Sequence, residues 1–161
     1  MINRKIKTVF SLIVGLYLGL IVFNNVSDYN SNYQFVSMVA KMSDVFSAPK
    51  NDWRKIESDM LHHVLYMGII IFEFIVSCLL IFGAYQMSKK MDSDAQLFLT
   101  AKRPTSIGLA LGVFLWFFIF LTVGGEWFLM WQSQKWNAQG NAFFLTICFM
   151  LFLIFHTQRD E

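Results

Sequence analysis

The sequence predicts an all-α polytopic membrane protein: a four-transmembrane-helix bundle with a partly helical outer loop between spans 1 and 2. Two observations predict it. Four long apolar runs alternate with three polar stretches, and 56% of the 161 residues are hydrophobic, with eighteen Phe and five Trp, more than a soluble core of this size needs. A hydrocarbon layer of about 30 Å takes roughly 20 helical residues to cross. Inside it every backbone amide must be paired within its own segment, so the runs are helices.

Spans are expected over 6–24, 64–87, 106–124 and 141–157, within one domain that comprises 1–161. The first run follows Arg4, Lys5 and Lys7, as a secretory signal would. The residues after it, Asn24, Asn25, Val26, Ser27 and Asp28, lack the small-x-small pair of a cleavage site, so it reads as an uncleaved anchor. Basic residues then set the orientation. Arg4, Lys5, Lys7, Lys89, Lys90, Lys102, Arg103 and Arg159 flank one side, against Lys41, Lys50, Arg54, Lys55 and Lys135 on the other, which predicts both termini in the cytoplasm. A net charge of +2, held in short clusters beside the spans, excludes nucleic acid as a partner and leaves the lipid bilayer.

Between the first two spans, Phe35, Met38, Val39, Met42, Val45 and Phe46 recur at helical spacing behind a cap at Ser31 or Asn32. The stripe predicts a short helix lying on the membrane or on the bundle as a lid. Pro49 should then break the chain, with Asn51 or Asp52 capping a helix that carries Trp53, Ile56 and Met60 into span 2. The middle loop, 88–105, reads as a solvated connector that ends at Pro104.

The second outer loop sets three Trp beside an acidic residue and several amides. An interfacial aromatic belt accounts for the indoles. It does not account for Glu126 at the exit of span 3, and Glu126, Trp127, Trp131, Gln132 and Asp28 form a candidate outer-rim binding group for a metal, quinone or lipid. The block Gly-Gly-Glu-Trp-Phe-Leu-Met-Trp-Gln-Ser-Gln-Lys-Trp-Asn at 124–137, with Phe-Asn-Asn-Val-Ser-Asp-Tyr at 23–29, resembles a bacterial family of predicted small integral membrane proteins catalogued as a domain of unknown function. The resemblance covers essentially the whole chain. It implies four spans and a bacterial inner-membrane location, and brings no activity with it.

Inside the spans, Glu73 stands out. It lies about nine positions into span 2, hence near the bilayer midplane at about 1.5 Å per residue. An acidic group there costs about 2.5–3.5 kcal/mol on insertion scales, so it must face the bundle and find a donor or stay protonated. Tyr17, Trp116 and Thr146 fall at comparable depth as donors. His62, Tyr66 and Glu73 share a narrow stripe of the helix, a polar track interrupted for two turns before the carboxylate. The plain alternative is a neutral Glu acting as interhelical glue.

Asp59 precedes His62 and His63 at spacings that suit a metal, and zinc or copper would be the ion. The two histidines are adjacent and cannot point one way. Haem is disfavoured because His156 lies at the opposite end of the bundle from both, so no bis-His pair shares a depth. Cys78 and Cys148 lack a Cys-x-x-Cys spacing and read as buried small apolar residues. Gly15-x-x-x-Gly19 and Gly108-x-x-x-Gly112 predict close helix packing inside the bundle, or less economically a homo-oligomer face.

With no nucleophile–base pair, phosphate-cradling loop or paired carboxylates, an enzyme is not expected. The reading that fits small size and a Trp-rich outer face is a non-catalytic accessory or partner subunit of a bacterial inner-membrane assembly. A proton-linked transport device using Glu73 and an outer-rim binding protein are the alternatives.

Overall fold

The computed structural model describes residues 1–160, with side chains at all of them except positions 48 and 49. Among the described residues, four helices are long and apolar enough to cross a membrane: α1 (Ile2–Ser27), α4 (Asp59–Lys89), Arg103–Trp127 and α7 (Gln139–Thr157). Shorter helices α2 (Tyr29–Ala40) and α3 (Ala48–Asn51) lie between the first two spans, and α5 (Ala95–Ala101) precedes the third. The third span begins as α6 (Arg103–Val113) and continues as a π-helix over Phe114–Trp127.

Helix α1 packs antiparallel on α4, α4 on α6, and α6 with its π continuation on α7. Small residues set these approaches. A methyl group added at Gly15 would sit 2.8 Å from Ile81, one at Gly83 would collide with Thr105, and one at Gly112 would enter the Phe149 ring. The Gly15/Gly19 and Gly108/Gly112 pairs therefore work inside the bundle, Gly15 and Gly19 against α4, and Gly108 against α4 while Gly112 faces α7. Val14, Leu18, Val76, Leu80, Leu109 and Phe149 fill the space between. The outward faces carry half-exposed Leu20, Phe23, Phe74 and Phe144, as a lipid solvent requires. Cys78 and Cys148 are on those faces too, which corrects their reading as buried: at their positions the helices turn outward.

A π-helix of 14 residues is unusual, since such geometry occurs mostly as single-turn bulges. Its i→i+5 register is visible in the Thr122 hydroxyl, which donates to the Phe117 carbonyl at 3.1 Å. Apolar composition carries no mark that separates it from an α-helix.

At the end opposite the termini, α2 leaves α1 after the single non-helical residue Asp28 and lies against α4. Its N-cap is Asp28 rather than Ser31 or Asn32, which lie inside the first turn of the helix, where Ser31 donates to the Asp28 carboxylate. Likewise Asn51 and Asp52 do not cap span 2. Only a 3-10 turn, Asp52–Arg54, follows them, and α4 starts at Asp59 with the Ser58 hydroxyl accepting from the Leu61 amide. Two non-glycine residues adopt left-handed backbone there, Met42 (φ 51°) and Leu129 (φ 54°). Both belong to one apolar cluster with Ala40 and Phe128, whose packing holds conformations that cost of order 1–3 kcal/mol each. Asp44 ties the two loops at this end: its carboxylate accepts from the Ser133 hydroxyl and from the Gln134 and Lys135 amides at 2.9–3.2 Å.

Candidate functional site

Glu73 is buried, 2% exposed, and faces the bundle. Its donor is none of the three residues expected. The Asn25 side-chain amide donates to the Glu73 carboxylate at 2.8 Å, while the Asn25 side-chain carbonyl accepts from Asn32 at 2.7 Å and its backbone carbonyl accepts from the Tyr66 hydroxyl at 3.2 Å. These bonds use both ends of the Asn25 amide and so fix its orientation. The chain achieves this locally because Asn25 lies two residues before the end of α1, and the turn at Asp28 brings Asn32 of α2 back over it.

That pairing also sets depth. The middle of α1, at Gly15, meets Ile81, eight residues from Glu73, or roughly 12 Å along the helix axis. Glu73 lies about that far toward the loop end from the Gly15–Ile81 contact, while the Leu80–Gly108 contact on the other side of α4 sets it level with Trp116 of the third span.

Tyr66 and His62 share the stripe with Glu73, and both are buried at 1% and 0% exposure. They do not form a continuous proton path with it. Tyr66 spends its hydroxyl hydrogen on the Asn25 backbone carbonyl, and His62 turns its Nε2 to the Ile56 carbonyl at 2.8 Å, with Nδ1 3.5 Å from Asp59. His63 points elsewhere, stacked on Tyr33 with ring centroids 4.1 Å apart and bonded through Nδ1 to the Tyr29 hydroxyl. Burial, then the neighbouring Tyr33, pushes the Tyr29 phenol above its ordinary pKa. Among the described residues no three His, Cys, Asp or Glu side chains converge as a metal site would need.

A cavity of about 430 Å³ opens beside Glu73. Tyr17, Asn25, Tyr66, Trp116, Asn137 and Asn141 contribute to its wall, so three of the residues that sequence placed at one depth do meet in space, though without bonding. Trp116 is 7% exposed, and its indole N–H is buried with no hydrogen-bond partner. Thr146 is spent within its own helix, donating to the Ala142 carbonyl. A buried N–H left unmade costs about 1–3 kcal/mol.

The five outer-rim residues do not assemble with it. Glu126 and Asp28 are exposed, and Asp28 accepts from Ser31. Trp127 packs edge-to-face on Trp53, with the Arg54 guanidinium over both rings, while Trp131 meets Phe46. Gln132 accepts from the Ser47 amide and hydroxyl. These contacts lock the two loops together and leave indoles at the surface, as a membrane-interface belt does.

The terminal end holds a polar cluster that the candidate residues above did not include. Lys7 and Lys102, each 2% exposed, share the Asp160 carboxylate at 2.7 and 2.6 Å and both donate to the Gln158 carbonyl. Burial alone would raise the Asp160 pKa, but the hydrogen bonds and charges of Lys102 and Lys7 outweigh it and hold it below the ordinary carboxylate range. Arg4 donates to the Met91 and Ser93 carbonyls and lies over Phe98. The middle loop is thus no solvated connector: α5 docks there with Phe98 wholly buried, and Pro104 sits in the first turn of α6 instead of before it. The two termini lie at one end of the bundle.

An all-helical bundle with four apolar spans, lipid-suited outer faces and polar groups confined to its interior and ends defines a small polytopic membrane protein. A family model described as predicted small integral membrane protein (DUF2165) matches residues 3–159, and the chain belongs to that family. No curated protein and no solved structure matches it.

Proposed function

We propose that this chain is a non-catalytic protein of the bacterial inner membrane, with both termini in the cytoplasm, that serves a larger assembly as an accessory subunit by holding a small ligand beside Glu73. The observation that carries the ligand is the cavity itself. It lies against the Trp116 indole and against a buried carboxylate that, among the described residues, has one hydrogen bond and no ionic partner. At about 430 Å³ it falls within the usual range of small-molecule pockets, about 300–1,000 Å³. The excess of Lys and Arg on the terminal side supports the orientation. The interrupted path from His62 through Tyr66 gives less support to a proton-linked device.

Native mass spectrometry of the protein released gently from its own membrane tests this reading. A reproducible extra mass in the wild type that is lost in Glu73→Gln supports the ligand, and a co-purifying chain at fixed stoichiometry supports the accessory role. A bare monomer in both forms contradicts the proposal.

A further inference from the structure

Which ligand the cavity takes can be read from its walls. Its lining holds one carboxylate, Glu73, and no Lys, Arg or His, and among the described residues no cation lies within ion-pair distance of that carboxylate. Aromatic rings of Tyr17, Phe35, Tyr66, Trp116 and Phe120 make up much of the remainder. A carboxylate without a counter-ion among aromatic faces is the chemistry that recognises an organic ammonium group, by charge and by cation–π attraction.

A second hollow decides the rest. An apolar groove of about 210 Å³ runs between α2, α4 and the π-helix, and every residue along it is apolar or glycine. Phe35, Val36, Ile69 and Phe120 line both spaces, so the polar cavity and the groove share a wall. Gly68 thins the α4 side of the groove, since nothing lies within 4 Å of the place its Cβ would occupy.

Resting on the ligand-holding reading above, we propose that the occupant is an aminophospholipid. Its ammonium sits beside Glu73 among the aromatic rings, and an acyl chain follows the groove. A quinone would supply acceptors but leave Glu73 without a counter-charge. A free amine would leave the groove unused.

Detergent-solubilised protein titrated with lipids of equal chain length, read by native mass spectrometry, tests this. Phosphatidylethanolamine should bind at least about tenfold more tightly than phosphatidylglycerol, the scale of one charge-assisted contact. Glu73→Gln, which keeps an acceptor for Asn25, should abolish that preference, and Glu73→Asp, which keeps the charge, should retain part of it. Glycerophosphoethanolamine, the headgroup without chains, should bind at least about tenfold more weakly than the lipid. Equal binding of the two lipids by the wild type, or an unchanged preference in Glu73→Gln, overturns the ammonium assignment. If both lipids bind equally and both are lost in Glu73→Gln, the cavity still holds a ligand and only its class is wrong. Headgroup binding as tight as that of the whole lipid overturns the role of the groove.

Discussion

Asn25 donates its side-chain amide to the Glu73 carboxylate at 2.8 Å, across 48 positions of sequence and from one span to the next. In a medium without water that bond stands between the carboxylate and full desolvation. Asn25→Leu should destabilise the protein in detergent by about 1–3 kcal/mol, the cost of a buried acceptor left unmade. Glu73→Gln should cost less because its carbonyl still accepts. A double-mutant cycle of Asn25→Leu with Glu73→Leu, followed by thermal unfolding, should return a coupling of about 0.5–3 kcal/mol; additivity would mean the bond contributes nothing.

At the terminal end, Asp160→Asn leaves Lys7 and Lys102 buried without their shared anion. Removing one partner of a buried ion pair typically costs about 3–5 kcal/mol, and thermal unfolding should show a loss on that scale. The pH dependence follows from the sign of the shift. The Asp160 pKa is lower in the fold than in the unfolded chain, so its stabilisation is complete above about 3.9 and disappears as the pH falls through the folded value. The Asn variant should lose this acid-limb dependence.

Asp44 behaves similarly at the loop end, though on the surface. The Ser133 hydroxyl, then the Lys135 amide, holds its carboxyl below the ordinary range. The tie it makes should hold at neutral pH and slacken only as the pH falls below about 3.9 through the lowered pKa. Asp44→Asn should raise amide hydrogen exchange at Gln134 and Lys135 without moving the exchange of the spans. Equal protection in the variant would show that Ser47 and Gln132 suffice to join the loops.

Glycine contacts make opposite predictions at two positions on α4. Gly83→Ala would drive a methyl group into Thr105, and overpacking of this kind costs about 1–3 kcal/mol. Gly68→Ala meets nothing within 4 Å and should be neutral or stabilising by up to about 1 kcal/mol. Unfolding temperatures of the two variants compare them directly.

How much of this was legible beforehand depends on whether the signal was local. Each span announces itself by an apolar run longer than any loop needs, and the stripe from Phe35 to Phe46 announces α2 by its period, although the helix ends at Ala40 and leaves Met42, Val45 and Phe46 outside it. Glu73 is conspicuous as an acid in such a run. Its partner is not: Asn25 sits in a polar cluster just past the predicted membrane edge, and only the register of α1 on α4 reveals that it turns inward. The same holds for Lys7 and Lys102. Each reads alone as a solvated positive charge that sets topology, and their meeting over Asp160 requires three chain segments to converge. Span 2 is capped by Ser58 rather than by Asn51 or Asp52 because several good capping residues lie in that stretch and tertiary contacts, such as the Ile56 amide on the Ala40 carbonyl at 2.9 Å, choose among them.

Glu73 faces a cavity, and the proposed ligand should cover it in the native membrane. Labelling with the lipid-soluble reagent dicyclohexylcarbodiimide, mapped by peptide mass spectrometry, tests it most directly. Glu73 should be protected in native membranes and labelled after delipidation, with protection restored by added lipid. Equal labelling in both states, or none in either, would contradict it.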